Sequence, residues 1–239
     1  MDNYCIIASG EYSWSYRLIN NLNNLKLENT KFVMAMQDQA VRDEIKIGKE
    51  KNARIRIFYF HWSGYITDDI FENNECITIH TSNLPHGRGG TPIQNQILDG
   101  ITRTRVNALK TVKEFDAGPI FCTRTISLQG CLNDIWYTIA DAATELIREI
   151  ILYDPKPVEQ SNLHYNSNIT NTQSYKRLKG SKNPLDSETL HQVYDIIRML
   201  DAETYPKAAC KVGQYTLEFS RAQLKNNNEV LCDLKIKMF

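Results

Sequence analysis

Short apolar runs and helix-patterned stretches take turns along the first two thirds of this chain. That alternation constrains the fold more than any single motif. YCIIAS (4–9), KFVMAM (31–36), RIRIFYFHW (54–62) and ECITIH (75–80) read as buried strands. Between the first two, SYRLINNLNNL sets Leu18, Ile19, Leu22 and Leu25 at helical spacing. DQAVRDEIKIGKEKN is a polar helix, and ITDDIFENN a short one with Thr67 as the expected N-cap. TPIQNQILDG is an amphipathic helix with Pro92 in its first turn and Gly100 as its stop. RTRVNALKTV and PIFCTRTISL are further strands, and residues 131–153 form a long helix with apolar positions three and four apart. Strand and helix alternating at this spacing predict a mostly parallel α/β sheet.

The composition shifts after Asp154. Residues 156–186 are polar, rich in Asn, Ser and Pro, and read as a connector. SETLHQVYDIIRML (187–200) returns to helical spacing. KVGQYTLEFSRAQL and EVLCDLKIKM then read as two strands joined by KNNNE, a β-hairpin with a polar turn. The expected organisation is a catalytic domain over 1–155, a connector over 156–186, and a small helix-plus-hairpin unit over 187–239. A unit that small buries little by itself and needs a surface to pack on.

Formal net charge is zero at pH 7, which argues against a protein that lives on nucleic acid, though a local patch for a phosphate remains open. No run approaches 18 apolar residues, so no membrane span is expected. MDNYCIIASGEY has neither a basic n-region nor a long apolar core, so no signal peptide is expected and a cytoplasmic location follows. The six cysteines are scattered singly without Cys-x-x-Cys, and read as small buried hydrophobes in a reducing compartment. His61, His164 and His191 lack metal-ligand spacing.

Two loops stand out. In IHTSNLPHGRGGTPI (79–93), His80 closes an apolar run, and a loop rich in glycine and proline carries Arg88 between Gly87 and Gly89. In FDAGPIFC, Asp116 precedes Ala117-Gly118-Pro119. Each loop offers an ionisable side chain beside an apolar run, as a site at the carboxyl edge of a sheet would. Taken singly, His80 could be a core histidine and Asp116 a turn former. The first strand is followed by GEYSWS, so the dinucleotide fingerprint and the P-loop are both missing. Gly10 could let a ligand approach that strand end, or could simply turn the chain. No Gly-x-Ser-x-Gly elbow is present, so no covalent acyl-enzyme is indicated. An acid–base pair with possible anion binders and no nucleophile points to one substrate supplying the nucleophile and another the electrophile.

At these residues the chain resembles the folate-dependent formyltransferases. HTSNLPHGRGG, DAGPI, PIQNQILDG with its closing Gly100, and FHWSGYITDDIF (60–71) carry the likeness, over about residues 1–155. The tail, with KNPLDSE, IRMLDAETYPKAA and GQYTLEFSRA, resembles the small C-terminal part of the bacterial sugar N-formyltransferases. Within that branch it looks most like the enzyme that formylates a UDP-linked 4-amino-4,6-dideoxy sugar near the pseudaminic acid pathway. The resemblance implies a Rossmann-like formyltransferase domain, 10-formyltetrahydrofolate as co-substrate, a UDP- or dTDP-linked amino sugar as acceptor, and a homodimer through the C-terminal unit. It implies no resident metal. Methionyl-tRNA formylation and a noncatalytic binding module of the same fold are the alternatives.

The family's Asn-x-His plus Asp carries over to His80 and Asp116, with Thr78 at the asparagine position. A threonine is shorter than a carboxamide. Thr78 could act through water, Asn83 could substitute, or His80 could serve the oxyanion alone. Ser82, Asn83, Arg88, Gly89 and Gly90 are the candidate substrate contacts in the first loop. Pro92, Gly118 and Gly10 complete the candidate set.

Overall fold

The computed structural model describes residues 2–162, 173–226 and 228–238. His164 lies outside the described residues. The chain divides into two compact units. The first comprises Met1–Gly89, Arg105–Ile126 and Tyr137–Ser174, and the second Gly90–Thr104, Ser127–Trp136 and Tyr175–Phe239.

The main sheet has six strands in the order β2-β1-β3-β4-β5-β6. They are β1 (Asn3–Ala8), β2 (Thr30–Ala35), β3 (Arg54–Phe60), β4 (Glu75–Thr81), β5 (Arg103–Lys110) and β6 (Ile120–Ser127). β1 pairs in parallel with β2 and β3, and β3 with β4. β4 and β5 are antiparallel, with His80 opposite Asn107. The expected Rossmann-like α/β fold is therefore present, its sheet mixed rather than wholly parallel.

Alternation along β1 explains the two covered faces. Tyr4, Ile6 and Ala8 join Ile57, Tyr59, Val41 and Ile45 in one buried cluster, which includes α2 (Asp38–Glu50). Cys5 and Ile7 point the other way and are also fully buried. Helices α1 (Ser13–Asn24) and α5 (Leu132–Tyr153) meet through Tyr137 Oη donating to Ser13 Oγ and a bidentate Arg17–Asp141 pair at 2.7 and 2.8 Å. A sheet buried on both faces needs apolar residues at nearly every strand position, and these strands supply them.

α3 (Asp68–Phe71) follows Thr67, but the Thr67 side chain makes no cap bond. Its hydroxyl accepts instead from Arg42 Nη2 at 2.9 Å, which corrects the expected capping role. Arg42 lies on α2, and its fork outcompetes a backbone N–H for that oxygen because the bond is charge-assisted.

The second unit holds α4 (Pro92–Leu98), a 3-10 turn at Pro184–Asp186, α6 (Leu190–Arg198), and the strands β7 (Ala208–Val212), β8 (Tyr215–Lys225) and β9 (Glu229–Met238). α6 is shorter than the helical spacing predicted, because Thr189 and Gln192 form a reciprocal capping box that sets its start. β8 and β9 form the expected hairpin. KVGQY, read as continuous with the next strand, is broken at Gly213, whose φ is +58°, so β7 adds a third antiparallel strand. Asp201 ties the unit together, accepting from Lys207 Nζ and from the Arg221 N–H, both at 2.7 Å.

Cys5, Cys76, Cys122 and Cys210 are buried, Cys131 is half-buried and Cys232 is exposed; all are free thiols. Burial pushes the thiols of Cys5, Cys76 and Cys122 up to about 12. Among the described residues, no helix is long and apolar enough to cross a membrane.

Candidate active site

β4 ends in Thr78-Ile79-His80-Thr81, so Thr78 and His80 share one face of the strand. His80 is 7% exposed, and its two ring nitrogens meet two acceptors. Nδ1 lies 3.4 Å from Asp116 Oδ2, and Nε2 lies 3.0 Å from the Gly87 carbonyl. Asp116 sits in the left-handed region at φ +53°, a conformation Asp tolerates better than most residues. Its Oδ2 also accepts the Gly89 N–H at 2.9 Å. The two loops singled out in the sequence thus close on each other at the edge of the sheet, with His80 and Asp116 in contact.

Gly118 is required by close approach. A Cβ there would lie 1.8 Å from the Lys110 carbonyl oxygen. Lys110 donates its N–H to Pro119 O at 2.8 Å, so the two chain segments are locked at this point. Arg88 is half-buried, and each of its three guanidinium nitrogens donates within the protein. Its Nε and Nη2 donate to Gln160 Oε1 at 3.1 and 2.7 Å, and Nη1 pairs with Glu114 at 2.9 Å. Arg88, a candidate substrate contact, thus makes an internal ion pair in this structure.

The remaining expected residues fall as follows. Thr78 Oγ1 bonds Thr111 Oγ1 at 2.9 Å. Ser82 is fully buried, and its Oγ has no hydrogen-bond partner among the described residues. The Asn83 carbonyl accepts from the His86 N–H at 3.1 Å, turning the loop. Gly10 follows β1 at the point where the strand order reverses, beside a stack of Tyr12 and His61 with ring centroids 4.5 Å apart. His61 Nδ1 accepts from Trp14 Nε1 at 2.9 Å. Gly90 and Pro92 belong to the second unit. The Gly90 N–H donates to Tyr175 O at 3.1 Å, a Cβ on Gly90 would crowd Arg177 at 2.8 Å, and Pro92 begins α4.

Two residues that the sequence pattern does not flag belong to this edge. Asn107, buried opposite His80, donates to Ser82 O at 2.8 Å and accepts from Thr123 Oγ1 at 3.0 Å. Gln160, in the expected connector, is 5% exposed and donates to the carbonyls of Asp116 and Gly118 at 2.7 and 2.9 Å. Val158, two residues before it, pairs antiparallel with Ile120 and brings the connector onto β6. Asn107 carries no motif. Gln160 stands in a polar run where every neighbour suits solvent.

The fold and this edge define a Rossmann-like α/β protein with a His–Asp pair at the carboxyl end of a central strand. Residues 180–237 match the family model described as "Methionyl-tRNA formyltransferase, C-terminal domain". The structure resembles a methionyl-tRNA formyltransferase from Clostridium thermocellum, with a TM-score of 0.84, 30% identity, and both chains covered fully. A methionyl-tRNA formyltransferase of Malacoplasma penetrans is 25% identical over 226 residues, covering 88% of this chain and 65% of that one. An N-formyltransferase from Helicobacter canadensis, solved with folinic acid and dTDP-3-aminofucose, shares the fold at a TM-score of 0.54 and 12% identity, over 91% of this chain and 95% of that one. The chain belongs to the folate-dependent formyltransferase family. It spans less than two thirds of the length of the curated relatives it matches, 65% of the first and 28% of the second. The sugar branch expected from the tail is not the one these matches favour, since the tail itself matches the methionyl-tRNA enzyme's domain.

Proposed function

We propose that this chain transfers a formyl group from 10-formyltetrahydrofolate to a primary amine. The buried His80–Asp116 contact at the end of β4 carries the reading. A neutral amine attacks the formyl carbon, a C–N bond forms, and negative charge grows on the formyl oxygen. His80 donates a hydrogen bond to that oxygen. Asp116 orients His80 and takes the amine proton, which passes to the folate nitrogen as its bond to the formyl carbon breaks. For Nε2 to reach the oxyanion it must leave the Gly87 carbonyl, so that carbonyl turns away when substrates bind. The unpartnered Ser82 hydroxyl suits a polar group of the folate or the acceptor.

The acceptor with the better support is the α-amine of methionyl-tRNA. The full-length likeness to the Clostridium protein and the C-terminal match favour it. So do Lys176, Arg177 and Lys179, an exposed basic run in the second unit that suits a phosphate backbone. This reading departs from the expectation of no nucleic-acid partner, which rested on the formal charge of zero and the short tail. A nucleotide-linked amino sugar is the second reading, favoured by that same formal charge of zero.

Assembly belongs to the same proposal. Leu234, Ile236 and Met238 are exposed on β9, opposite Phe219, Leu217 and Tyr215 of β8. An apolar edge of this kind needs cover, and a second copy of the C-terminal unit would supply it. Light scattering at micromolar concentration should give twice 27.6 kDa; a mass of 27.6 kDa would reject the dimer.

The enzymatic test incubates the protein and 10-formyltetrahydrofolate with methionyl-tRNA and, separately, with UDP- and dTDP-linked 4-amino and 3-amino sugars. Acyl transfer adds about 28 Da to the acceptor. His80→Ala and Asp116→Ala should each lower turnover by about a hundredfold or more. Formylation of no acceptor, or near-normal turnover in either variant, would remove the proposal. Mass gain on a sugar alone would choose the second reading.

A further inference from the structure

We propose that Gln160 is a positioning residue that holds the Asp116 carboxylate against His80; this rests on the formyl-transfer reading of that pair. Asp116 is not held by a regular element. Its left-handed backbone would relax readily without an outside tether. Gln160 supplies the tether at both ends of the turn, giving one amide N–H to the Asp116 carbonyl at 2.7 Å and the other to the Gly118 carbonyl at 2.9 Å. Its oxygen accepts Arg88 Nε and Nη2. Arg88 is followed by Gly89, whose N–H donates to Asp116 Oδ2 at 2.9 Å.

The bonds therefore close a ring. Gln160 fixes the Asp116 backbone, Gly89 fixes its carboxylate, and Arg88 returns to Gln160. Orientation of the carboxamide follows from its neighbours. Carbonyls only accept and a guanidinium only donates, so the nitrogen must face Asp116 and Gly118, and the oxygen must face Arg88. Only a carboxamide fits. Glutamate lacks the two N–H donors, and lysine lacks the acceptor. Gln160 is 5% exposed with donors and acceptor all satisfied, so loss of one partner leaves buried polar atoms unpaired.

The experiment compares turnover and KM for wild type, Gln160→Glu, Gln160→Met, Asp116→Asn, and the double variant Asp116→Asn/Gln160→Glu. A displacement of about 1 Å at a catalytic group costs on the order of a hundredfold, so both Gln160 variants should lose about that in kcat. KM should stay within about threefold. If Gln160 acts through Asp116, the double variant is no slower than Asp116→Asn alone within about twofold. Losses that multiply would mark a merely structural residue and overturn the inference, as would either Gln160 variant turning over within about threefold of wild type.

Amide exchange at Gly89 gives a reading that does not need turnover. Its acceptor is Asp116 Oδ2, so Gln160→Met should speed its exchange by about tenfold or more, and an unchanged rate overturns the inference. If wild type formylates nothing, the functional reading falls and Gly89 exchange alone decides whether Gln160 holds Asp116. If Gln160→Glu loses its fold by circular dichroism, Gln160→Met carries the comparison. Loss of fold in both variants also overturns the inference, because a positioning residue is not needed for folding.

Discussion

Substituting Gly118 by alanine separates close approach from backbone conformation. The added Cβ would stand 1.8 Å from the Lys110 carbonyl oxygen and 2.9 Å from its carbon. Both are backbone atoms and cannot swing aside. Relief requires the 116–119 turn to move away from β5 by about 1 Å or more, since an unstrained carbon–oxygen contact lies near 3.3 Å or beyond. The Lys110 N–H to Pro119 O bond and the Gln160 to Gly118 O bond both stretch in consequence. Overpacking costs about 1–3 kcal/mol, and each hydrogen bond lost about 1 kcal/mol, for roughly 3–5 kcal/mol in all. For a chain of this size each kcal/mol lowers the melting temperature by about 2–4 °C, so a fall of at least about 6 °C is expected. Asp116, two residues away, moves with the turn, and turnover should drop by about a hundredfold. Gly100→Ala is the control. Gly100 has φ +71° but nothing within 4 Å of the added carbon, so only a backbone cost of about 1 kcal/mol applies. Thermal unfolding followed by circular dichroism, with formyl-transfer kinetics, reads both variants. A Gly118→Ala protein that melts no lower than Gly100→Ala and keeps its turnover would refute the steric argument.

Further outcomes follow from other parts of the molecule. Thr78→Val removes one hydroxyl–hydroxyl bond to Thr111 and should cost about 1 kcal/mol, with turnover falling less than about tenfold, well short of His80→Ala; equal losses in steady-state kinetics would make Thr78 an oxyanion donor. Arg56 is 1% exposed and pairs with Glu75 and Asp154, so Arg56→Ala should cost about 3 kcal/mol in urea unfolding, the low end because both carboxylates are partly exposed and can rehydrate. Cys5, Cys76 and Cys122, with thiols pushed up to about 12 by burial, should resist alkylation at pH 8 in the native state while the exposed Cys232 reacts, as mass spectrometry of labelled peptides would reveal. Asp141 and Asp154 have carboxyls held below the usual range, chiefly by hydrogen bonds from Arg17 and Arg54, and Asp69 is lowered to about 2 by Arg42. Each depressed carboxyl stabilises the fold fully above its unfolded value of about 3.9, and that contribution is lost as pH falls through the folded value. Unfolding monitored from pH 6 to pH 2 should show the loss confined to the range below about 4; a loss centred near pH 6 would contradict it.

Local order in this protein was legible in its residues because it depends on near neighbours. The unbroken apolar run YCIIAS marks a strand covered on both faces, and the spacing of Leu18 and Leu22 marks the side of a helix that faces the core. Gly100 as a helix stop, and His80 and Asp116 beside strand ends, follow from the same short-range rules. The reversal at β1, the antiparallel entry of β5 beside β4 and the third strand at β7 depend on which strand edge each segment meets, which no local period encodes. The site divides in the same way. Arg88 carries a charge wherever it lies, but only the fold determines that Gln160, 72 residues away, and Glu114 take up its fork. Gln160 looks like a solvent residue until the carbonyls of Asp116 and Gly118 are buried beside it. Short-range pattern reveals most of the elements and brings out His80 and Asp116 as candidates, because both depend on neighbours within a few residues. The tertiary structure alone decided their partners, because a buried carbonyl or guanidinium must be satisfied by whatever the fold brings within 3 Å, however distant along the chain.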